Sequence, residues 1–324
     1  MQHIGELQFT LEYNNEIIGS VQSVSNNITL IPGTNHVEFA GELKSNSTKS
    51  YSALSHIIQN YLTNQSTEIQ VIAGPNATSH PLLATAMAGL ILNVDMTPFD
   101  KKVIDSLQFE SMSLIPSNDD KSVTISASII IRINSPLGNR SPLAIKKMDL
   151  DSFLVYENGS VGLLQTFNVP VEQLDVITYR SKFDNQTLRL TEPGIIYENF
   201  SRAFIDASTM NPIKFYIFGK ASIVGSFALG PLNIDGILLS NEVLMVGLDK
   251  LSQVLVHGIS IDGETEEGLL LSIDVTINNT GVSVVELRSF TFQLLDAQTD
   301  ITLGKIPIDV LTVAPGLNDI VLHG

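Results

Sequence analysis

The sequence predicts a mainly β protein with a few helices, built from tandem β-sandwich units that each carry one or two helices packed on a sheet. Three observations predict it. Alternating apolar and polar residues recur along the 324-residue chain, the period of a strand with one buried face. Only three segments space their apolar residues as a helix does. One stretch also occurs twice. Ile28-Thr-Leu-Ile-Pro-Gly-Thr-Asn35 follows Ile17-Ile-Gly19, and Leu311-Thr-Val-Ala-Pro-Gly-Leu-Asn318 follows Ile301-Thr-Leu-Gly304. Each Pro-Gly-x-Asn predicts a strand, a tight turn and a strand, a hairpin, because Pro presets φ and Gly accepts the positive φ that follows.

In chain order, residues 7–13 alternate as a half-buried strand, and the first hairpin follows. Tyr51, Leu54, Ile57, Ile58, Tyr61 and Leu62 lie at helical spacing, with Ser50 as the expected N-cap. Burying those six side chains is worth on the order of 10 kcal/mol before entropy, so this helix is expected to dock on a sheet. Glu68–Ala73 reads as a strand, Pro81–Leu90 as a short helix with Pro in its first turn, and Ile91–Met96 as a strand. Near Thr97-Pro98 the pattern restarts. Val123–Ile133 and Leu269–Ile277 are strands with one apolar face, both closing on Ile-Asn. A Ser-Phe strand follows each, Ser152-Phe153 and Ser289-Phe290, and then a glycine amid apolar residues, Gly162 and Gly304. Phe200, Ala203 and Phe204 predict a helix over 197–207.

The phase of this repeat divides the chain into 1–98, the helical half and hairpin of a first unit; 99–247, a complete unit; and 248–324, the strand half of a further unit. A fragment of a longer tandem array is the expectation. The alternatives are that the first and last pieces close on each other, or that the chain forms one large closed barrel.

Composition bounds the function. The net charge of −16 argues against nucleic acid, which requires clustered Lys and Arg, and against docking on anionic headgroups. With no cysteine there is no thiolate nucleophile, disulfide or Cys-based zinc site. No run of eighteen apolar residues could span a bilayer as a helix, and the start lacks a signal peptide's charged and apolar regions. Asn-x-Ser/Thr occurs at Asn27, Asn46, Asn64, Asn76, Asn139, Asn158, Asn185, Asn199 and Asn278. These nine are twice the roughly four that chance gives with this Asn, Ser and Thr content. The excess points to an extracytoplasmic chain carrying N-glycans. Asn139 is the weakest acceptor because Pro142 follows its Ser.

Helix, strand and Pro81-Leu-Leu-x-x-Ala-Met-x-Gly-Leu-x-Leu-x-Val94 within Ser50–Met96 resemble the domain of unknown function of fungal membrane proteins that carry large non-cytosolic tandem domains. The Leu269–Asn278 strand, Leu303-Gly304 and Pro315-Gly316-x-Asn318 are similar to type-2 late embryogenesis abundant domains, β-sandwiches of fibronectin-like topology. Asn134-Ser135-Pro136 and Asn278-Asn279-Thr280 depart from the usual Asn-Pro turn of those domains. The resemblance implies a lumenal region anchored by a membrane helix outside this chain. One member of the fungal group sits in the vacuolar membrane and is tied to the termination of autophagy. The implied location is the lumenal side of the vacuolar membrane, with the cell surface or secretory pathway as the alternative.

No catalytic, cofactor-binding or metal-binding residue stands out. Histidines 3, 36, 56, 80, 257 and 323 show no zinc spacing, and His56 is expected as a partly buried structural residue on the first helix. Gly258-Ile-Ser-Ile-Asp-Gly263 has one residue too many for a nucleophile elbow and reads as strand. Asn118–Asp120 and Asp262–Glu267 lack the alternating carboxylates of a calcium loop and read as solvated turns. The expectation is a non-catalytic interaction or assembly module with an unidentified protein partner. A lipid or apolar-ligand binding module is the first alternative and a glycan-active enzyme the second. The absence of Trp tells against the last.

Overall fold

A computed structural model describes residues 2–117, 121–134, 143–191, 195–227, 230–249, 254–265, 268–295, 298–299 and 301–323. The elements run β1 (Gln2–Gly5), β2 (Gln8–Tyr13), β3 (Glu16–Ser23), β4 (Ile28–Leu30), β5 (Phe39–Leu43), α1 (Thr48–Leu62), β6 (Thr67–Ile72), α2 (Pro81–Met87) and β7 (Ile91–Met96). They continue as β8 (Ile104–Pro116), β9 (Ser122–Ile133), β10 (Ala144–Tyr156), β11 (Gly159–Gln173), β12 (Thr178–Leu190), α3 (Ile195–Asp206), β13 (Ile213–Phe227) and β14 (Gly230–Met245). The last are β15 (Val254–Thr265), β16 (Gly268–Asn279), β17 (Ser283–Leu295), β18 (Thr302–Val313) and β19 (Gly316–His323). Among the described residues the protein is mainly β with three helices, and no sheet closes into a barrel.

Two compact units emerge, one of Met1–Val103, Ser135–Ala144 and Ile223–Ile237, the other of Ile104–Asn134, Ile145–Ser222 and Leu238–Gly324. Their segments interleave along the chain. In the first, β1 pairs with β4, and a five-stranded sheet runs β5-β3-β2-β6-β7. Ala53, Leu54 and Ile57 of α1 pack on that sheet against Leu11 and Ile18. The N-cap is Ser47, not Ser50. Ser50 is the third helical residue and closes a capping box, its hydroxyl accepting from the Ser47 N–H while Ser47 Oγ accepts from Ser50 N at 3.0 Å. Tyr61 of the expected stripe is only partly buried, its ring centroid 5.8 Å from that of Phe99.

A second sheet has nine strands in the order β14-β13-β10-β11-β12-β9-β8-β17-β18, and a third runs β15-β16-β19. β8 and β17 pair in parallel through Ser283↔Met112, Val284↔Ser113 and Val285↔Leu114. β16, β18 and β19 share a core of Ile273, Val275, Ile277, Ile306, Leu311, Val313 and Leu322.

One topology underlies all of this. The order β7-β6-β2-β3-β5, with α1 between β5 and β6, recurs as β14-β13-β10-β11-β12, with α3 between β12 and β13. Likewise β8-β9-β12 recurs as β15-β16-β19, and the β10–β11 hairpin as β17–β18. We label the seven strand positions a to g. The middle copy is complete, from β8 (a) to β14 (g). The first copy is represented by c to g, with β1 and β2 together as c and β3 and β4 together as d. The third is represented by a to e. Each copy marks its c–d hairpin in the same way: Leu11↔Gly19, Leu154↔Gly162 and Leu294↔Gly304 are opposite one another, and a bulge follows each. Two of these hairpins turn on two residues of positive φ, Asn14-Asn15 and Glu157-Asn158, the primed turn that suits strand twist.

The Pro-Gly-x-Asn stretches correct one expectation. Neither is a hairpin. In the first copy β4 pairs with β1 while β5 pairs with β3; in the third β18 pairs with β17 while β19 pairs with β16. Each motif is an arch that carries the chain from one sheet to another. Its Asn holds the arch. Asn35 Oδ1 accepts from Ile31 N at 3.0 Å, while its amide donates to Ile31 O and Gly33 O. Asn318 repeats all three bonds on Ala314 and Gly316 and adds a fourth to Ile277 O of β16 at 3.2 Å.

The shared glycine gives a test. A methyl on Gly162 would lie 2.7 Å from Arg189 O of strand e, whereas one on Gly304 would meet nothing within 4 Å. Urea unfolding is expected to show Gly162→Ala costing about 1–3 kcal/mol and Gly304→Ala less than about 0.5 kcal/mol.

Candidate functional site

Of the nine predicted acceptors, Asn27, Asn46, Asn64, Asn76, Asn158, Asn185 and Asn199 are exposed, and Asn278 is half-buried. Asn139 lies outside the described residues. Asn64, Asn158 and Asn185 have positive φ (61°, 68° and 52°), the tight bends where Asn is tolerated. His56 is exposed rather than partly buried. The Tyr13 hydroxyl sits 2.8 Å from its Nδ1, and the two rings stack at 5.9 Å. His80 caps α2 by accepting from Leu83 N. Gly258–Gly263 lies within β15, as its spacing predicts. Asn118–Asp120 and Glu266-Glu267 fall outside the described residues. Among the described residues no three His, Asp or Glu side chains gather as metal ligands, and no helix is long and apolar enough to cross a membrane.

The structure assembles polar groups that the linear sequence leaves scattered. Across the outward face of β15-β16-β19 run two rows of opposite sense. In one, His257 of β15 lies 2.6 Å from Thr276 Oγ1 of β16, which donates to Asp319 of β19 at 2.5 Å. In the other, Asp262 of β15 accepts from Ser272 of β16, whose oxygen lies 2.7 Å from His323 Nδ1 of β19. Each hydroxyl stands between the imidazole and the carboxylate. It gives its one proton to the carboxylate, so the ring nitrogen must donate to the oxygen. Activating a nucleophile requires the opposite order, with the imidazole between hydroxyl and carboxylate as acceptor. What these rows do is tie both outer strands to the central one. Alternation along β16 puts Ser272 and Thr276 on one face and is readable in sequence. Their partners, 10 to 51 residues away, are not.

A second cluster lies on β8, β9, β11 and β12. A bulge between Phe109 and Ser111 marks the position of Glu110, which accepts from Arg180 Nε at 2.8 Å and Nη2 at 2.9 Å, and from Ser128 Oγ at 2.8 Å. Arg180 also reaches Glu172 at 3.3 Å. The Arg180 bonds, then the Ser128 bond, hold the Glu110 carboxyl down at about 2. This is a cross-strand brace with bidentate geometry.

Concavities are also present among the described residues. A cleft of about 570 Å³ opens beside Tyr156, Glu157, Asp206, Lys214 and Tyr216. Hydrogen bonds to Glu242 and then Tyr216 raise the Lys214 pKa, so this lysine is a tied cation. A cleft of about 620 Å³ lies beside Glu6, Gln8, Asn76, Thr78 and Pro81, including one acceptor Asn. The third is apolar but for Ser152. All seven strands of the middle copy line it, through residues such as Phe109, Ile129, Leu150, Phe183, Ile217 and Leu239, and it holds only about 20 Å³. That is room for about one water molecule and far below the roughly 300–1,000 Å³ of a small-molecule site.

Residues 164–294 match a family described as protein of unknown function, DUF3712. The matched stretch opens in β11 and closes in β17, so it spans about one period of the repeat but does not include Ser50–Met96, where the fungal resemblance began. This part of the chain is a β-rich domain of unknown function. A solved DUF4785 family protein from Legionella pneumophila aligns over 100% of this chain and 74% of its own, at 10% identity and a TM-score of 0.19, too low to carry an argument. No curated protein matches.

The Glu110 brace sets a pH dependence. Because folding lowers this carboxyl from its ordinary 4.5 to about 2, the stability it contributes is present above pH 4.5 and is lost as pH falls toward 2. Glu110→Gln is expected to cost about 1 kcal/mol near neutrality, allowing for solvent screening, with the difference from wild type vanishing by the acid end. Urea midpoints across that range measure it.

Proposed function

We propose that this chain is a non-catalytic module for protein interaction or assembly, on the lumenal or extracytoplasmic side of a membrane-anchored protein. The observation that carries the reading is the junction between repeat copies. β8 of one copy takes β17 of the next as a parallel neighbour, so the unit already uses strand addition to join its like. Exposed acceptor asparagines and the acidic surface support the extracytoplasmic setting. The finer placement follows the resemblance to fungal non-cytosolic tandem domains and type-2 late embryogenesis abundant domains. It puts the module on the lumenal side of the vacuolar membrane, with a role in regulating autophagy, its anchor lying outside this chain.

An apolar-ligand carrier is the second reading, favoured by the lining of the middle copy's interior, apolar but for Ser152. Its volume weighs against it, since drug-sized ligands occupy sites of roughly 300–1,000 Å³.

Native mass spectrometry of protein secreted from a eukaryotic host, before and after enzymatic deglycosylation, tests both. The expected result is several N-glycans on a clean polypeptide mass. An additional releasable lipid mass would replace the interaction reading with the carrier. No glycans at all would remove the extracytoplasmic placement.

A further inference from the structure

The cleft of about 620 Å³ lies along a seam inside the first compact unit. On one side run β1, Glu6 and β2; on the other runs the stretch from Gly74 into α2. Hydrogen bonds close the seam. Gln8 N donates to Ala77 O at 2.8 Å, Leu7 bridges Thr78, and the Thr78 hydroxyl donates to Ile4 O. Ile4, Leu7, Ala73 and Ala77 belong to one buried apolar cluster, so both sides of the seam are anchored in the same core.

The polar groups of the lining divide in two. Thr78 is committed to Ile4 O, and Thr85 donates to Pro81 O at 2.9 Å. Glu6, Gln8, Asn76 and Ser79 also line the cleft, and their side chains take no hydrogen-bond partner among the described residues. Pro75 and Pro81 add apolar wall. Free carboxylate, carboxamide and hydroxyl groups beside short apolar ones suit a ligand with hydroxyls on its rim and C–H groups on its faces, which is a sugar. The volume falls within the roughly 300–1,000 Å³ of small-molecule sites.

The wall itself supplies the point of attachment. Asn76 opens the acceptor triplet Asn76-Ala77-Thr78, and it is exposed while Ala77 and Thr78 are buried. Asn27, Asn46 and Asn64 of the same unit do not line this cleft. Resting on the extracytoplasmic reading above, we propose that Asn76 carries an N-glycan whose first sugars lie in this cleft, their hydroxyl and acetamide groups bonded to Glu6, Gln8 and Ser79. The glycan then ties the α2 side of the seam to the β1–β2 side. A tether this short gives the sugar an effective concentration of order millimolar, so contacts too weak to capture a free sugar suffice. The bound saccharide is a structural part of the unit rather than a solubilising surface group.

Native treatment of the eukaryotically secreted protein with peptide N-glycosidase is the test, with occupancy and release at each site read by glycopeptide mass spectrometry. A sugar seated about nine-tenths of the time is released about tenfold more slowly, so Asn76 is expected to lag Asn27, Asn46 and Asn64 by at least that factor. Glu6→Ala/Gln8→Ala removes uncommitted side chains and is expected to abolish the lag. Asn76→Gln removes the acceptor but keeps the Thr78 bond to Ile4 O, and the Gln8 N–H is expected to exchange with solvent at least about threefold faster than in the glycosylated chain. A glycan released from Asn76 as fast as from the other sites, a lag that survives Glu6→Ala/Gln8→Ala, or an unchanged Gln8 exchange rate overturns the seat. So does a bare Asn76 on a chain glycosylated at Asn27, Asn46 or Asn64, and the extracytoplasmic reading then stands. A chain with no glycan at any site removes that reading itself.

Discussion

The approach of strand e to the glycine of strand d decides what each copy of the unit becomes. Gly19 and Gly162 lie opposite Leu43 and Leu190, and a methyl at either would run into the backbone of e at 2.2 and 2.7 Å. Where that approach is made, e joins the sheet of the c and d segments beside the glycine, β2 and β3 or β10 and β11, and e ends five residues before a helix in both copies. Gly304 has no such neighbour. There β19 pairs with β16 instead, and the copy becomes two facing sheets with Ile277, Val313 and Leu322 between them. The sequence motif is the same; the use made of the glycine differs.

The Pro-Gly-x-Asn arch is more local and so more constant. Its carboxamide satisfies the N–H and the carbonyl of the residue four before it, as a neighbouring strand would. The turn thus needs no ladder of its own. That frees the strands on either side to join different sheets, and the same three bonds persist in two copies whose surroundings differ. The fourth bond, from Asn318 to Ile277 O, fastens the third-copy arch to the strand beside it.

Much of this was legible because it is periodic or local. Alternation located the strands, the apolar stripe located α1 within three residues of its start, and Phe200 and Phe204 marked the buried side of α3. Ser50 misled as a cap because Ser47 and Ser50 both suit the role, and only geometry shows which carries the non-helical φ. The hairpins misled because Pro-Gly fixes a turn but not whether the flanking strands pair with each other. The glycine of each c–d hairpin could be seen in sequence; the leucine opposite it could not. The Glu110 brace and the His–hydroxyl–Asp rows were hidden for another reason. Their members meet only across strands, up to 70 residues apart, and no local pattern encodes such a pairing.

An exposed apolar edge strand would ordinarily invite indiscriminate pairing, and β15 carries neither Lys nor Pro to prevent it. Its protection is of another kind. Bulges between Val256 and Gly258 and between Ile261 and Gly263 break the ladder twice, so a straight strand cannot pair along its length. Asp262 and Glu264 add negative charge to a molecule that already repels its own kind. Backbone hydrogen bonding alone is therefore a poor route onto this strand.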